Sequence, residues 1–276
     1  MSPTSEDDLG TPVPLPATGV RRVVSLVPSL TESVAETAPQ LLVGATDWCT
    51  HPADLDVERV RGTKNPDVQR VLALRPDLVL ANEEENRDAD IAAIRAAGIA
   101  VWVTAPRTLD EGLASLARML SVLGLGRPPW LAAARSAWAS PYAGPRRRAL
   151  VPIWRRPWMA LGRDTFAGDV LARLGVDNVY ADDESRYPKV ELDAVLVLGV
   201  DLVVLPDEPY AFSAHDGPEA FAGWEVPVAC VSGRHLTWYG PSLAEARQLL
   251  ESQLAAAEMP PAELASDSPT PAGRVP

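Results

Sequence analysis

The 276-residue chain carries a formal net charge of −12, from 37 acidic against 25 basic side chains, which sets it against nucleic-acid binding, since that needs clustered Lys and Arg. At 47 % hydrophobic and 22 % charged its composition is that of an ordinary globular protein, with length for two lobes of roughly 100 residues each. No apolar run is long enough to span a bilayer, and no CxxC or Cys/His cluster suggests structural zinc.

The first stretch, residues 1–19, is acidic and rich in proline. It lacks the basic and apolar regions of a secretory signal, so a disordered tail and a cytoplasmic location are expected. Val23–Val27 reads as a buried strand, broken by Pro28-Ser29, and Ser29 or Thr31 can cap a helix over Glu32–Ala38. Leu41–Ala45 is a second strand. A helix over Asp67–Leu74 ends before Pro76, because the residue preceding proline leaves the α region. Strand Asp77–Ala81, helix Ala89–Ala97 stopped by Gly98, strand Ile99–Val103 and helix Leu109–Leu123 follow. Pro128-Pro129 opens an Ala-rich helix, Trp130–Ser140, with no partner strand nearby. The second half repeats the plan: strand Ala149–Ile153, helices Phe166–Leu174 and Leu192–Leu198, strands Asp201–Leu205 and Val226–Val231, and helix Leu243–Ala257.

The repetition is visible residue by residue. Val71, Leu72, Leu74, Asp77, Leu78, Val79 and Glu84 recur as Val195, Leu196, Leu198, Asp201, Leu202, Val203 and Glu208, 7 identities in 14 positions at an offset of 124. Arg21-Arg22-Val23-Val24 is echoed by Arg147-Arg148-Ala149-Leu150. A period of that size is that of a domain. The expected fold class is therefore α/β, two similar lobes with mostly parallel sheets joined by one linking helix, and a ligand cleft between them. The lobes are placed at residues 20–125 and 147–258, with the linker helix and hinge at 126–146 and a second disordered tail at 259–276.

In such sheets ligands bind beyond the carboxyl ends of the strands, and the loops there are unusually aromatic. They hold Trp48 with Cys49 and His51, Trp154 and Trp158, Tyr210, and Trp238 with Tyr239; Tyr187 lies in a loop of its own. Rings in such loops either stack on a large flat ligand, adding roughly 0.5–1.5 kcal/mol each beyond burial, or pack the hinge. Trp102, Trp130, Trp138 and Trp224 are assigned to packing. Glu84, in the run Glu83-Glu84-Glu85, binds a ligand group or cation, or else belongs to a solvated helix start. His51 is either an axial ligand to a metal complex or a hydrogen-bonded loop residue. A disulfide between Cys49 and Cys230 is disfavoured, each being inside or just after a β-run of its own lobe. Glycine-rich nucleotide turns, GxSxG and HExxH are missing, which moves the expectation from catalysis to binding.

The runs Val23–Glu32, Val43–Cys49 with His51-Pro52, Gly62–Pro66, Ala73–Val79, Glu84–Arg87, Gly162–Gly175, Tyr187–Val190 and Leu236–Gly240 resemble, in order and spacing, the cobalamin- and siderophore-binding class of ABC-transporter solute-binding proteins, also called helical-backbone metal receptors. The resemblance covers about residues 20–257. It implies two lobes joined by a rigid helix, small closure on binding, no enzymatic activity, and no tightly bound cofactor or resident metal. The implied ligand is cobalamin or another corrinoid or metal chelate, with Trp48, Tyr187 and the Trp154–Trp158 loop as contacts. Transport members dock on an ABC permease through one exposed Glu per lobe. The corresponding positions here are Gln69 and Asp193, and Gln reduces a charge-assisted bond of roughly 1.5–3 kcal/mol to about 1. Together with the absent signal, this counts against a permease partner. The alternatives are an exported receptor of an ABC importer, and a two-lobed enzyme such as a glycosyltransferase or chelatase.

Overall fold

A computed structural model describes residues 4–260. The chain begins with an antiparallel hairpin, β1 (Thr4–Glu6) and β2 (Pro12–Pro14). The first lobe follows as β3 (Val23–Ser25), α1 (Pro28–Thr37), β4 (Leu42–Ala45), β5 (Glu58–Arg59), a small hairpin of β6 (Arg61–Gly62) and β7 (Asn65–Pro66), α2 (Val68–Ala73), β8 (Leu78–Asn82), α3 (Asp88–Ala96), β9 (Ala100–Thr104) and α4 (Leu109–Val122). Its sheet runs β5-β4-β3-β8-β9, all parallel. Every residue of β8 and β9 is buried, as expected of strands covered on both faces.

After α5 (Pro129–Ala137) the second lobe comprises β10 (Arg147–Leu150), the hairpin β11 (Pro152–Trp154) and β12 (Met159–Ala160), α6 (Phe166–Ala172), β13 (Val176–Asn178), α7 (Leu192–Val195), β14 (Leu202–Pro206), β15 (Val228–Val231), α8 (Gly233–Thr237) and α9 (Leu243–Ala255). Its sheet runs β13-β10-β14-β15, again parallel. The two-lobed α/β architecture is thus the one expected.

The sequence repeat has a physical basis. Asp77 Oδ2 accepts the backbone N–H groups of Arg21 and Arg22 at 2.8 and 2.9 Å, and the Arg22 guanidinium returns to the Leu74 carbonyl. In the second lobe Asp201 Oδ2 accepts from Arg148 N at 3.0 Å, while the Arg148 side chain donates to the carbonyls of Leu198 and Gly199. Each repeated Asp therefore ties the strand it opens to the neighbouring strand, and each repeated Arg closes the end of the preceding helical segment. Arg148 is thereby structural, as is Arg147, which donates to Leu254 O.

One apolar core runs through both lobes. It joins Trp102, Leu109, Leu116 and Met119 of the first to Phe166, Leu171 and Leu243 of the second. The helices approach closely where α4 carries Gly112, since a Cβ there would stand 2.9 Å from Phe166. The linking helix α5 stops at Ala137, three residues short of expectation, and its C-terminal end is fixed at two points. Arg135 donates to Leu113 O on α4, and the Trp138 indole to Leu243 O on α9.

The expected disordered tail over residues 1–19 is corrected over its described part. Asp7 is buried; its Oδ1 caps Leu9 N and Thr11 N, and its Oδ2 pairs with Arg95 at 2.9 Å. Asp8 pairs with Arg118 at 2.6 Å and accepts from Ala105 N. Acidic, proline-rich composition suggested disorder, but these carboxylates have fixed partners on the first lobe. The C-terminal tail, expected at 259–276, lies outside the described residues apart from its first two.

Candidate functional site

The strand ends of the two sheets meet. At the end of β8, Asn82 Oδ1 accepts the backbone N–H groups of Glu84 and Glu85 at 2.8 and 3.1 Å, and its Nδ2 donates to Thr104 O and Tyr239 Oη. Asn86 Oδ1 accepts from Asn82 N at 2.9 Å, and its Nδ2 donates to Thr63 O. The acidic run is therefore a hydrogen-bonded turn, and α3 starts only at Asp88. Asn82 was not singled out from sequence, and Asn86 only as a neighbour of the acidic run; a strand-end Asn with a second Asn four residues on was the available signal.

Glu84 is the meeting point. Its carboxylate accepts the Tyr187 hydroxyl at 2.7 Å and pairs with Arg107 at 2.9 Å and with Arg186. Its carbonyl accepts from Lys64. Tyr187 and Arg186 come from the second lobe, so this cluster bridges the two. A second bridge is the ion pair of Glu32 on α1 with Arg234 on α8, whose side chains are 8 % and 20 % exposed. Three buried atoms around it, Ser29 Oγ, Glu32 Oε2 and Arg234 Nε, have no protein partner. Nearby, the His51 ring stands edge-on to Trp238 with centroids 5.4 Å apart. Burial, then the Arg234 charge, lowers the His51 pKa and favours neutral imidazole.

Glu85 keeps some solvent contact yet lies among so many protein atoms that loss of water pushes its carboxyl up to about 7, with Lys64 opposing and Glu208 adding to the rise. Burial also raises Glu208, against the Trp238 indole that donates to it at 3.0 Å.

The expected contacts divide. Trp48 and Trp154 are 66 % and 43 % exposed, one from each lobe. Tyr210 meets Trp154 edge-on at 5.6 Å and donates its hydroxyl to Asp216 at 2.7 Å. Glu84, Tyr187, His51 and Trp238 form the bridges just described, though Trp238 is itself buried. Three expectations are corrected. Trp158 is half-buried, lies parallel to Phe212, 6.0 Å away, and packs with Phe221 against the core of the second lobe. Tyr239 is buried, its hydroxyl bound to Thr104 Oγ1 at 2.7 Å and driven up in pKa by burial. Cys49 is fully buried, its sulfur 3.0 Å from Thr31 Oγ1 and 3.1 Å from Thr46 Oγ1, and burial raises its thiol. Residue type and position after a strand cannot separate a ring facing the cleft from one turned into the core. Gln69 and Asp193 are exposed on α2 and α7.

Both cysteines are free and only Cys230 is exposed; the thiolate is the reactive form and needs access, so the two differ in reactivity. A thiol reagent is expected to titrate one group rapidly in the native protein and two after unfolding. Two rapid native equivalents would contradict this burial.

No family model matches the chain. A vitamin B12-binding protein of Yersinia pestis is 26 % identical over 261 residues, spanning 90 % of this chain and 91 % of that one. The periplasmic vitamin B12 binding protein of Vibrio cholerae superposes with a TM-score of 0.70 at 22 % identity, covering 86 % of this chain and 97 % of its own. A periplasmic heme-binding protein from Roseiflexus gives a TM-score of 0.72 at 20 % identity, with coverages of 86 % and 98 %. The chain thus shares the two-lobed α/β fold of these binding proteins. Over nine-tenths of its length the chain is similar in sequence to a vitamin B12-binding protein, in keeping with the resemblance its motifs carry. The cytoplasmic location expected above is overturned by the likeness to solved proteins that are periplasmic. Among the described residues, no helix is long and apolar enough to cross a membrane.

Proposed function

We propose that the protein is a solute receptor acting outside the cytoplasmic membrane. It captures a flat metal chelate, a corrinoid of the cobalamin type, between the strand-end loops of its lobes. The observation that carries this is the pair of exposed indoles, Trp48 on one lobe and Trp154 on the other. Large exposed rings at strand ends are costly to hydrate and gain most from stacking on a ligand. Tyr210 supports Trp154, while Glu84, Tyr187, His51 and Trp238 shape the space between. The B12-binding relative, matched over nine-tenths of the chain, supports the ligand class. Delivery to an ABC permease would use the exposed helices α2 and α7, with Gln69 and Asp193 at the contact.

Titration with cyanocobalamin and cobinamide, followed by calorimetry and visible absorption, tests this reading. Saturable binding is expected, and Trp48→Ala should weaken it roughly tenfold, the combined loss of stacking and covered apolar area. No heat and no spectral change at micromolar concentrations would overturn the corrinoid reading. A heme-like chelate is the second reading, favoured by His51, whose lowered pKa leaves a neutral imidazole able to ligate a metal.

A further inference from the structure

Two neighbours at the tip of the β11–β12 hairpin are placed against expectation. The apolar one, Trp154, is 43 % exposed, while the side chain of the charged one, Arg155, is only 14 % exposed. A cation drawn inward is costly unless it is paired. Arg155 has two partners, the carboxylates of Asp216 and Glu219, both from the segment that follows β14, and its guanidinium lies 5.4 Å from the centre of the Trp158 ring. Asp216 serves twice. Its Oδ1 takes Arg155, and its Oδ2 accepts the Tyr210 hydroxyl at 2.7 Å. Tyr210 packs on Phe212 at 4.6 Å and stands edge-on to Trp154 at 5.6 Å. The path from Arg155 through Asp216 and Tyr210 thus returns to the indole beside its start. The parts it joins are themselves set. Ser213 and Asp216 exchange backbone hydrogen bonds at 3.0 and 3.3 Å, and Glu219 Oε2 accepts Gly217 N at 2.6 Å. Gly217 adopts φ +133°, and a Cβ there would stand 2.8 Å from Phe212. At the base of the hairpin, Val190 N donates to Trp158 O and Ala160 N to Pro188 O, at 3.1 and 3.0 Å.

We propose that Arg155 is a positioning residue: by gripping Asp216 and Glu219 it holds the Tyr210 segment against the hairpin and restricts the Trp154 indole to a narrow range of orientations in the free protein. This role rests on the proposed ligand contact at Trp154 and adds what sets that contact in advance. A ring ordered beforehand loses little freedom on binding, so more of its stacking appears as affinity. A single exposed ion pair would have little such effect, being screened and costly to order. Here the guanidinium is largely shielded and shared by two carboxylates, and one of these also holds the ring that meets Trp154.

The experiment compares the intact protein with Arg155→Met, which keeps an apolar stem and removes the charge, Arg155→Lys, which keeps the charge, and Tyr210→Phe, which removes only the hydroxyl. The first readout needs no ligand. It is the near-ultraviolet circular dichroism of the Trp154 indole, taken as the difference between each protein and the same protein with Trp154→Ala. This band should be largely lost in Arg155→Met, reduced in Tyr210→Phe and kept in Arg155→Lys. The second readout is affinity for cyanocobalamin. Arg155→Met should weaken it roughly threefold to tenfold and Arg155→Lys by less than about twofold. In a Trp154→Ala background Arg155→Met should add nothing, because Arg155 acts through that ring. A Trp154 band unchanged in Arg155→Met overturns the inference. So does a loss of affinity that persists undiminished in the Trp154→Ala background, which would make Arg155 a contact in its own right. If Arg155→Met does not fold, Tyr210→Phe carries the same comparison. If the wild-type protein does not bind cyanocobalamin, the corrinoid reading falls, while the ligand-free band still decides whether Arg155 sets the indole.

Discussion

Arg234→Ala is expected to lower the unfolding free energy by roughly 3 kcal/mol, because it strands the Glu32 carboxylate in the interior. The pair crosses from α1 to α8, and the Glu32 side chain is only 8 % exposed. Glu32 Oε2 already lacks a protein donor, so the interaction with Arg234 is what compensates the burial. Removing one partner of such a pair costs more than removing both, since no ion is then left unpaired. The double variant Glu32→Leu with Arg234→Ala should accordingly recover much of the loss. Urea unfolding of the wild type, both single variants and the double variant measures the coupling. A loss below about 1 kcal/mol for Arg234→Ala would show that water reaches Glu32 and that the lobes are not held at this point.

Glu85→Gln should act in the opposite direction, and only above acid pH. The folded protein raises this carboxyl from an ordinary 4.5 to about 7, mainly by burial. An acid with a higher pKa in the fold than in the unfolded chain binds more protons when folded, so its ionisation weakens the fold as pH rises. The penalty begins as pH passes 4.5 and is complete above 7. Integrated over that interval it amounts to at most about 3 kcal/mol; the solvent contact Glu85 retains reduces it. Glu85→Gln should therefore match the wild type in stability near pH 4.5, gain on it through neutrality, and level off by pH 8. Thermal melts across this range check the prediction. A constant difference at all pH values would mean that the carboxyl titrates normally.

The legible part of this molecule was what repeats with a period. Apolar runs such as Leu78–Asn82 and Leu202–Pro206 are buried on both faces, and burial on both faces leaves no choice of residue type. Helix ends at Gly98 and Gly124 followed from the positive φ that each adopts. The short strand β13 was missed because Val176–Asn178 has a single buried apolar residue. The Asp7 and Asp8 anchors were illegible because their partners, Arg95 and Arg118, lie 88 and 110 residues away. In the site, the aromatic loops were visible as a group, but not which way each ring turns. That depends on neighbours such as Phe212 beside Trp158 and Thr104 beside Tyr239, contributed by other parts of the chain.

The apolar core that continues from α4 into α6 and α9 bears on how a ligand is taken up. Lobes that share a core and a pinned linking helix do not swing as two independent bodies. On the proposed function, the work of receiving a ligand then falls to side chains, chiefly the indoles of Trp48 and Trp154 and the bridge at Glu84. Entry is limited by their rotamers and by exchange of that bridge, not by slow separation of domains. The heat-capacity change on binding is set by the apolar area the ligand itself covers, with no contribution from a folding or docking transition of the receptor. Selectivity in such a receptor is fixed before the ligand arrives.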